Sequence, residues 1–437
     1  MAEFLGKAVE RRYIRDLDLA KGELSTVSVN KFMCGVWCKW PALLSAFLFA
    51  VVGGSVGWWV WGIDAGVGRL ALLVVLPAAW GLSASRWSGW TLMLGYFLAG
   101  ARGLPGGTAV FFGDAGPWWS GWVFWLSAGL LLSLPFLFLW AAKASGRGWR
   151  FVLAVGLGVL PPLGLCGWVS PISVAGALFP DMGWVGLVLA FGVLWSVAGR
   201  SGWRVGGLLA VALLANSEAA FVSAAAPVGW VGVNTRFSQL SSGGGRDAGA
   251  VLESMRRVEW VKRLADEIPA GGVRVLPETV LGEFTGVTEF SLSAIDASLS
   301  ARGARLLVGA EVPRSDGRYL NSLIVLGAEA SEGRQAVQGI PVPFSMWKPW
   351  ATDGAVANVF GNGGLVVVKG LRAGVLICYE QLLTFSMLKM MWERPDVLVG
   401  AANVWWVKGG TIPVIQKQML GTYGRLFGVG VVGAWNY

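Results

Sequence analysis

Residues 364–379 read GLVVVKGLRAGVLICY, a run of apolar and β-branched residues that ends in a cysteine and a tyrosine. Such a composition predicts strand structure. Similar runs occupy 229–237 (GWVGVNTRF), 272–279 (GVRVLPET), 304–312 (ARLLVGAEV), 319–327 (YLNSLIVLG), 397–406 (VLVGAANVWW) and 426–435 (LFGVGVVGAW). Apolar residues at helical spacing predict an amphipathic helix at about 248–268. Because strands and helices alternate while several strands are hairpin-like neighbours, the pattern predicts a layered α/β sandwich.

Two short motifs lie at the ends of predicted strands, where α/β folds expose reactive groups. They are VLPET at 275–279 and LICYE at 376–380. Cys378 is the only cysteine of residues 229–437, and the chain contains no histidine. An unpaired thiol is a candidate nucleophile, and without histidine its base must be a carboxylate such as Glu278. The alternative is that Cys378 is an ordinary buried strand residue.

The composition of the whole chain points to a membrane. Of the 437 residues, 55% are hydrophobic and only 14% are charged, whereas soluble domains carry about 25% charged residues. Residues 1–228 hold 15 basic and 9 acidic residues, and residues 229–437 hold 20 and 17. The second part therefore has the charge density of a soluble domain, and we place the domain boundary near residue 228.

Seven apolar segments before this boundary are candidate membrane spans. They lie at about 41–62, 67–85, 88–101, 117–141, 149–170, 183–199 and 204–224. On one side the connecting segments contain 13 lysines and arginines, and on the other only Arg69 and Arg102. By the positive-inside rule the basic side is cytoplasmic. We therefore expect a multi-pass protein of the bacterial inner membrane, with a cytoplasmic N-terminal segment (1–40), a transmembrane helical domain (41–228) and a periplasmic domain (229–437).

Several other classes of function fit the sequence less well. The absence of histidine excludes Ser-His-Asp and Cys-His catalysis and histidine-ligated zinc. Cys34 and Cys38 have no second cysteine pair nearby, so we expect no metal and no cofactor. Ionisable residues are rare in the spans, Glu218 being the main one, which argues against a transporter. A domain with nearly balanced charge outside the cytoplasm is not expected to bind nucleic acid.

The order and spacing of the motifs resemble the carbon–nitrogen hydrolase (nitrilase) superfamily. LPET is followed about 100 residues later by ICYE. Between and beyond them lie YLNS (319–322), VPF (342–344) and ANVWW (402–406). Seven spans before a periplasmic domain are similar to the membrane branch of this superfamily, apolipoprotein N-acyltransferase. The VPFSMWKPW segment and the chain length are most similar to plasmid-encoded conjugal transfer proteins of this type.

This resemblance implies an α-β-β-α sandwich and a specific chemistry. Glu278 matches the general base, Cys378 the nucleophile that forms an acyl-enzyme thioester, and Glu380 a carboxylate that follows the nucleophile in the membrane branch. Asn403 and Trp406 match a substrate-binding segment. The partners implied are the lipid bilayer, a phospholipid acyl donor, an amine acceptor and proteins of the conjugation apparatus.

Three departures from the family pattern bear on activity. Gln338 stands where the family has the lysine that stabilises the tetrahedral intermediate, and Met346 replaces the glutamate of VPFGE. Lys348 is a candidate to supply the missing charge, or else a solvated lysine beside tryptophans. The sequence ends at WNY (435–437), where the family usually continues. Two hypotheses result: a Cys-dependent acyltransferase or amidase serving conjugation, and a catalytically impaired membrane scaffold that supports assembly of the mating apparatus.

Overall fold

The computed structural model describes residues 40–63, 66–112, 117–217, 225–238, 248–407 and 410–437. The predictions made for residues 1–39, with Cys34 and Cys38, and for Glu218 lie outside this range. Two structural parts follow one another along the chain. The first is a helical bundle, and the second is a sandwich of two β-sheets with helices on its outer faces.

The helical bundle occupies the described residues up to 217. Its helices are α1 (Trp40–Val60), α2 (Val75–Leu82, continuing a 3₁₀ segment Val67–Val74), α3 (Arg86–Gly100), α4 (Leu104–Phe112), α5 (Ser120–Phe138), α6 (Arg147–Val159), α7 (Val174–Leu178), α8 (Gly183–Ala198) and α9 (Gly202–Ser217). Among the described residues, two of these helices are apolar enough over 18 or more residues to cross a membrane, at Pro41–Val60 and Ser120–Phe138.

Glycines allow α1 and α3 to approach each other closely. A Cβ atom at Gly53 would lie 1.8 Å from the carbonyl oxygen of Leu92, and one at Gly57 would lie 2.4 Å from that of Tyr96. Small residues of this kind let helix backbones touch, which increases the dispersion contacts between the two helices. Because position 53 meets position 92 and position 57 meets position 96, the two helices run side by side in the same direction.

The long helices of the bundle alternate in direction, which gives it two distinct ends. At one end, Trp140 donates to Ser83 Oγ at 2.8 Å, and Gly199 lies against Gly148. We call this the basic end, because Arg86, Lys143, Arg147, Arg150, Arg200 and Arg204 all belong to it. The other end is formed by residues 61–63, 66–67, 101–107 and 160–183.

The structure corrects one of the predicted segments and adds a helix that was not predicted. The segment 149–170 is not one continuous helix, since α6 ends at Val159 and a 3₁₀ turn follows at Leu163–Cys166. Pro161 and Pro162 lack the amide hydrogens that a continuing helix requires. Helix α4 was not predicted. With 13 residues, α6 is about 20 Å long, shorter than the hydrocarbon core of about 30 Å.

The described residues of the sandwich form ten strands in two sheets. The first sheet has the order β1 (Trp230–Gly232), β2 (Val273–Val275), β3 (Arg305–Pro313), β4 (Arg318–Leu326) and β5 (Gln335–Val337), with β6 (Gly354–Ala355) beside β4. The second has the order β10 (Gly430–Asn436), β9 (Val397–Asn403), β8 (Leu371–Ile377) and β7 (Leu365–Val368). The helices are α10 (Ala248–Asp266), α11 (Gly286–Ala301), α12 (Thr384–Trp392) and α13 (Ile412–Phe427).

The side-chain alternation of the strands shows how these elements are layered. Leu307 and Leu323 pack in one core with Val375 and Val399 of the second sheet, while the alternate residues of the first sheet pack in a separate core with α10 and α11. On the second sheet, a Cβ atom at Gly374 would lie 2.7 Å from Met390 of α12. Because odd and even positions face opposite layers, the order is helix, sheet, sheet, helix. The predicted α-β-β-α sandwich is confirmed.

Several predicted element bounds are wrong in detail. The run 364–379 forms two antiparallel strands, because Lys369 and Gly370 both have positive φ (52° and 73°) and make a turn. The predicted strand 426–435 begins only at Gly430, since α13 extends to Phe427 and ends at Gly428 in the left-handed conformation. Neither α11 nor α13 was predicted, although each covers one face of the sandwich.

The sandwich lies against the end of the bundle opposite to the basic end. Tyr379 donates through its hydroxyl to the carbonyl of Leu165 at 2.6 Å. Arg425 of α13 donates to the carbonyl of Gly176 at 2.6 Å. Phe344 stacks on Phe124 of α5 with ring centroids 6.0 Å apart. These contacts place the bundle and the two predicted motifs side by side.

Candidate active site

Glu278 lies in the turn that follows β2, where the chain passes closely over β3. A Cβ atom at Gly309 would lie 2.2 Å from the carbonyl oxygen of Pro277, so only glycine permits this approach. Thr279, the next residue, has a positive φ of 54°. The turn holds Glu278 between the two sheets with 4% of its surface exposed.

Cys378 lies at the corresponding end of β8, at the start of a 3₁₀ turn, Cys378–Leu382. Its φ of 47° is positive, which costs energy for a residue with a side chain. A strained turn directly after a strand is the arrangement in which many enzymes present a nucleophile. Gln416 of α13 stabilises the turn by donating to the carbonyl of Cys378 at 3.1 Å.

The structure places the carboxyl of Glu278 beside the thiol of Cys378, close enough for each group to shift the pKa of the other. One oxygen of Glu278 accepts from the side-chain amide of Asn321 at 2.6 Å, and the other accepts from the backbone amide of Asn403 at 3.0 Å. Burial raises the pKa of Glu278, and these hydrogen bonds oppose the shift. Burial, together with the charge of Glu278, raises the pKa of the Cys378 thiol well above its usual range. The ground state therefore places the proton on sulfur, beside an oxygen that can accept it.

Gln338 lies directly beneath this pair. Its side-chain oxygen accepts from Asn321 at 2.8 Å, and its side-chain nitrogen donates to the carbonyl of Ile377 at 2.8 Å. The residue thus connects the support of Glu278 to the strand that ends in Cys378. Gln338 is almost completely buried, with 1% of its surface exposed. Its side-chain amide links the residue that supports Glu278 to the strand that ends before Cys378. It brings no positive charge to the position where the resemblance expects a lysine.

Glu380 binds backbone amides. One of its oxygens accepts from Gly339 at 3.0 Å and from Ile340 at 3.2 Å, and the other accepts from Ile377 at 3.1 Å. Burial raises the pKa of Glu380 to about 7, and the hydrogen bonds together with the nearby Lys389 oppose the shift. Glu380 therefore fixes the segment after Gln338 to the strand before Cys378.

Asn403 is the last residue of β9, and Trp406 lies in the turn that follows the strand. The Asn403 side chain donates to Thr279 Oγ1 at 2.8 Å and accepts from Asn436 at 2.8 Å. Trp406 donates to the carbonyl of Asn403 at 3.0 Å. Its ring lies against α4, since a Cβ atom at Gly107 would be 2.5 Å from it. Trp406 thus connects the site to the bundle.

Lys348 is not part of the hydrogen-bonded cluster. Its side chain is half-buried in the loop after Gln338 and makes no hydrogen bond or ion pair with the described residues. Met346, in the same loop, is held through its backbone, which accepts from the amide of Ala355 at 2.7 Å. In this structure the charge of the family lysine is supplied neither by Gln338 nor by Lys348.

Asn321 and Gln416 belong to the site but were not predicted as site residues. Asn321 lies in the YLNS segment, so the signal was present although the side chain's role was not recognised. Nothing in the sequence indicates Gln416, because it reaches Cys378 only through the packing of α13 on the second sheet. Within the described ranges, no group of three or more histidine, cysteine or acidic side chains is placed to hold a metal ion.

Sequence comparison identifies the relatives of this chain. It is 32% identical over 404 residues to the probable conjugal transfer protein TraB of Sinorhizobium fredii, covering 91% of this chain and 98% of that one. It is also 32% identical over 423 residues to the conjugal transfer protein TraB of Agrobacterium fabrum, covering 91% and 93%. This chain belongs to the TraB family. No family model matches it.

Comparison of this TraB family member with solved structures finds an amidase and a carbon–nitrogen hydrolase among the matches. An amidase of the nitrilase superfamily from Nesterenkonia AN1 matches with a TM-score of 0.31 and 10% identity, covering 47% of this chain and 75% of the amidase. A carbon–nitrogen hydrolase from Helicobacter pylori G27 matches with a TM-score of 0.31 and 13% identity, covering 47% and 72%.

Proposed function

We propose that this protein is a membrane-bound, Cys-dependent acyltransferase or amidase that serves plasmid conjugation. The observation that carries the proposal is the contact between the buried carboxyl of Glu278 and the thiol of Cys378 on a strained turn. Family membership adds the conjugal context, since both TraB relatives are named as conjugal transfer proteins.

The chemistry follows from the positions of the two groups. As Cys378 Sγ attacks the carbonyl carbon of an ester or amide, the thiol proton passes to Glu278 and the carbonyl electrons move to oxygen. Collapse of this intermediate expels an alcohol or amine, which takes the proton back from Glu278, and leaves a thioester on Cys378. An amine or water then attacks the thioester, with Glu278 again accepting and returning a proton.

The surroundings of the pair suit this cycle. Asn321 and the amide of Asn403 fix both oxygens of Glu278, so the carboxylate does not need to reorient during proton transfer. The backbone amides of Asn403 and Tyr379 oppose the rise in the pKa of Cys378, and so they stabilise negative charge at sulfur. Without a cation at Gln338, stabilisation of the oxyanion rests on neutral donors, and we expect slow turnover.

We further propose that the bundle spans the inner membrane seven times and that the sandwich is periplasmic. The bundle exposes large apolar side chains such as Phe47, Val188 and Leu213, with 64%, 69% and 73% of their surface accessible. Water solvates such a surface poorly, and lipid solvates it well. Within the described part of the bundle, all lysines and arginines except Arg69 and Arg102 lie at the end away from the sandwich, which the positive-inside rule assigns to the cytoplasm.

A phospholipid is the acyl donor that this arrangement favours. Trp406 rests on α4 and Phe344 rests on α5, so two loops of the sandwich touch the apolar bundle. A donor could keep its acyl chains in the bilayer while its ester carbonyl reaches Cys378. The acceptor is then an amine presented on the periplasmic side.

The test of catalysis is peptide mass spectrometry on the detergent-purified protein incubated with phospholipid. We expect an acyl adduct on Cys378 that disappears in Glu278→Gln and persists in Cys166→Ala, which removes the other described free cysteine. A folded wild-type protein that acquires no adduct from any phospholipid class or amide would contradict the proposal. A C-terminal alkaline phosphatase fusion tests the topology, and we expect it to be active.

The replacement of the family lysine by Gln338 favours a second candidate function, a scaffold that supports assembly of the mating apparatus. The amide of Gln338 is committed to the Ile377 carbonyl, as expected if the site now only stabilises the fold. A double variant, Glu278→Gln with Cys378→Ala, separates the two ideas. If it folds, reaches the membrane and supports normal mating, the protein is a scaffold; if mating is lost, the chemistry is needed.

A further inference from the structure

A second carboxyl group, that of Glu311, lies beside Glu278 and has no part in the chemistry described above. Glu311 is directly opposite Asn321 in the pairing of β3 with β4, and Asn321 is the side chain that donates to Glu278. Residues paired across an antiparallel ladder project from the same face of the sheet. Glu311 and Asn321 therefore both face the layer that contains Glu278.

The position of Glu311 is fixed through its backbone. Its amide donates to the carbonyl of Gly282 at 2.8 Å, and its own carbonyl accepts from the amide of Phe284 at 2.7 Å. The segment that follows Glu278 is thus fastened along the end of β3. Gly309, two residues earlier on the same face of β3, is the residue that contacts the Glu278 turn. Glu311 consequently stands at the edge of this turn, with its backbone held in place.

The carboxyl of Glu311 has no partner that would neutralise it. Among the described residues its side chain makes no hydrogen bond and no ion pair. The titratable groups that face it are Glu278 and Glu283 from the segment after β2 and Tyr319 from β4. Burial, and to a smaller degree the charges of Glu278 and Glu283, raise the pKa of Glu311 to about 7. The only charges that act on it are negative.

We propose that Glu311 is a positioning residue for proton transfer, whose negative charge makes Glu278 a stronger acceptor for the Cys378 proton. Two carboxylates in a poorly solvated site repel each other, so the ionised form of each is less favourable when the other is ionised. The pair then titrates as a unit. Glu311 forms and breaks no bond, and the proton still passes from sulfur to Glu278. The inference rests on the proposed base–nucleophile pair.

The test is the rate at which iodoacetamide alkylates Cys378 in the detergent-purified protein as a function of pH. Alkylation joins sulfur to carbon, expels iodide and requires the thiol proton to leave, so it reports on Glu278 without any physiological substrate. We expect two rises with pH, the lower from ionisation of Glu278 and the higher from the free thiolate. Glu278→Gln should abolish the lower rise.

Above pH 7, where both carboxyls are ionised, Glu311→Gln should slow the alkylation severalfold, because the repelling charge that makes Glu278 a stronger acceptor is gone. Below pH 7, where Glu311 is neutral, the variant and the wild type should react alike. Glu311→Asp should keep the rate above pH 7 close to that of the wild type, and Glu289→Gln, which removes a carboxylate from the exposed first turn of α11, should leave it unchanged. A lower rise that is lost in Glu278→Gln, together with a rate above pH 7 that is unchanged in Glu311→Gln, would overturn the role of Glu311 alone. If wild type and Glu278→Gln give identical profiles, the base–nucleophile pair itself is wrong, and the inference fails with it.

Discussion

Removing the hydrogen bond from Asn321 to Glu278 is the most direct test of what sets the pKa of Glu278. Asn321→Leu replaces the side-chain amide with an apolar group of nearly the same shape, so it removes the 2.6 Å hydrogen bond without opening a cavity. Hydrogen bonds to charged groups contribute about 1.5–3 kcal/mol. One pKa unit corresponds to about 1.4 kcal/mol. The pKa of Glu278, already raised by burial, should therefore rise by a further one to two units.

The assay is again the pH dependence of Cys378 alkylation by iodoacetamide. In Asn321→Leu the lower rise should move to higher pH by about one to two units, whereas Glu311→Gln should leave the lower rise in place. The matched control is Ser322→Ala, the next residue on β4, whose hydroxyl accepts from Gln335 on the other face of the sheet. A folded Asn321→Leu protein with an unmoved profile would show that Asn321 does not set the proton affinity of Glu278.

Three further predictions concern packing, stability and charge. Gly53→Ala should destabilise the bundle by about 1–3 kcal/mol or more, because the new Cβ would overlap the Leu92 carbonyl at 1.8 Å. Gly54→Ala should not destabilise the bundle, because the atom nearest to its new Cβ would be 3.9 Å away. Thermal unfolding in detergent compares the stabilities of the two variants. Glu311 has a pKa of about 7, above the usual 4.5, so its ionisation costs stability as pH rises through that interval. Glu311→Gln should therefore raise the unfolding free energy at pH 8 by up to about 3 kcal/mol but not at pH 4, and equal gains at both pH values would contradict this. Lys348→Gln should change the Cys378 alkylation rate less than twofold, since the Lys348 side chain makes no hydrogen bond or ion pair with the described residues of the cluster; a loss of about 100-fold would assign it the role of an oxyanion donor.

Glu278 and Glu380 show that burial alone does not determine the role of a carboxyl group. Burial raises the pKa of both carboxyls. The oxygens of Glu380 accept hydrogen bonds from three backbone amides, which joins the segment after Gln338 to the strand before Cys378. Glu278 is held by Asn321 and Asn403 and also touches the thiol of Cys378. The two carboxyls therefore differ in function because Glu278, unlike Glu380, lies next to a group that can react, the thiol of Cys378.

The sequence predicted the parts of this protein that depend on local pattern. Alternating apolar residues at 304–312 and 319–327 gave strands that the structure confirms at Arg305–Pro313 and Arg318–Leu326. Helical spacing at 248–268 gave the helix Ala248–Asp266. The run 364–379 failed as one strand because the turn at Lys369 and Gly370 depends on backbone conformation, which composition does not reveal.

The sequence by itself determined which reactive groups are available for catalysis. A chain without histidine and with one cysteine after residue 228 can build a thiol site only with a carboxylate base, and the two strand-end motifs supplied both groups. Their roles were decided by tertiary structure. Gln338 and Asn321 are 17 residues apart in the chain and meet because β4 pairs with β5, while Glu311 approaches Glu278 because β3 runs beneath its turn. Proton affinities depend on distance and burial, and these are set only when the two sheets pack together.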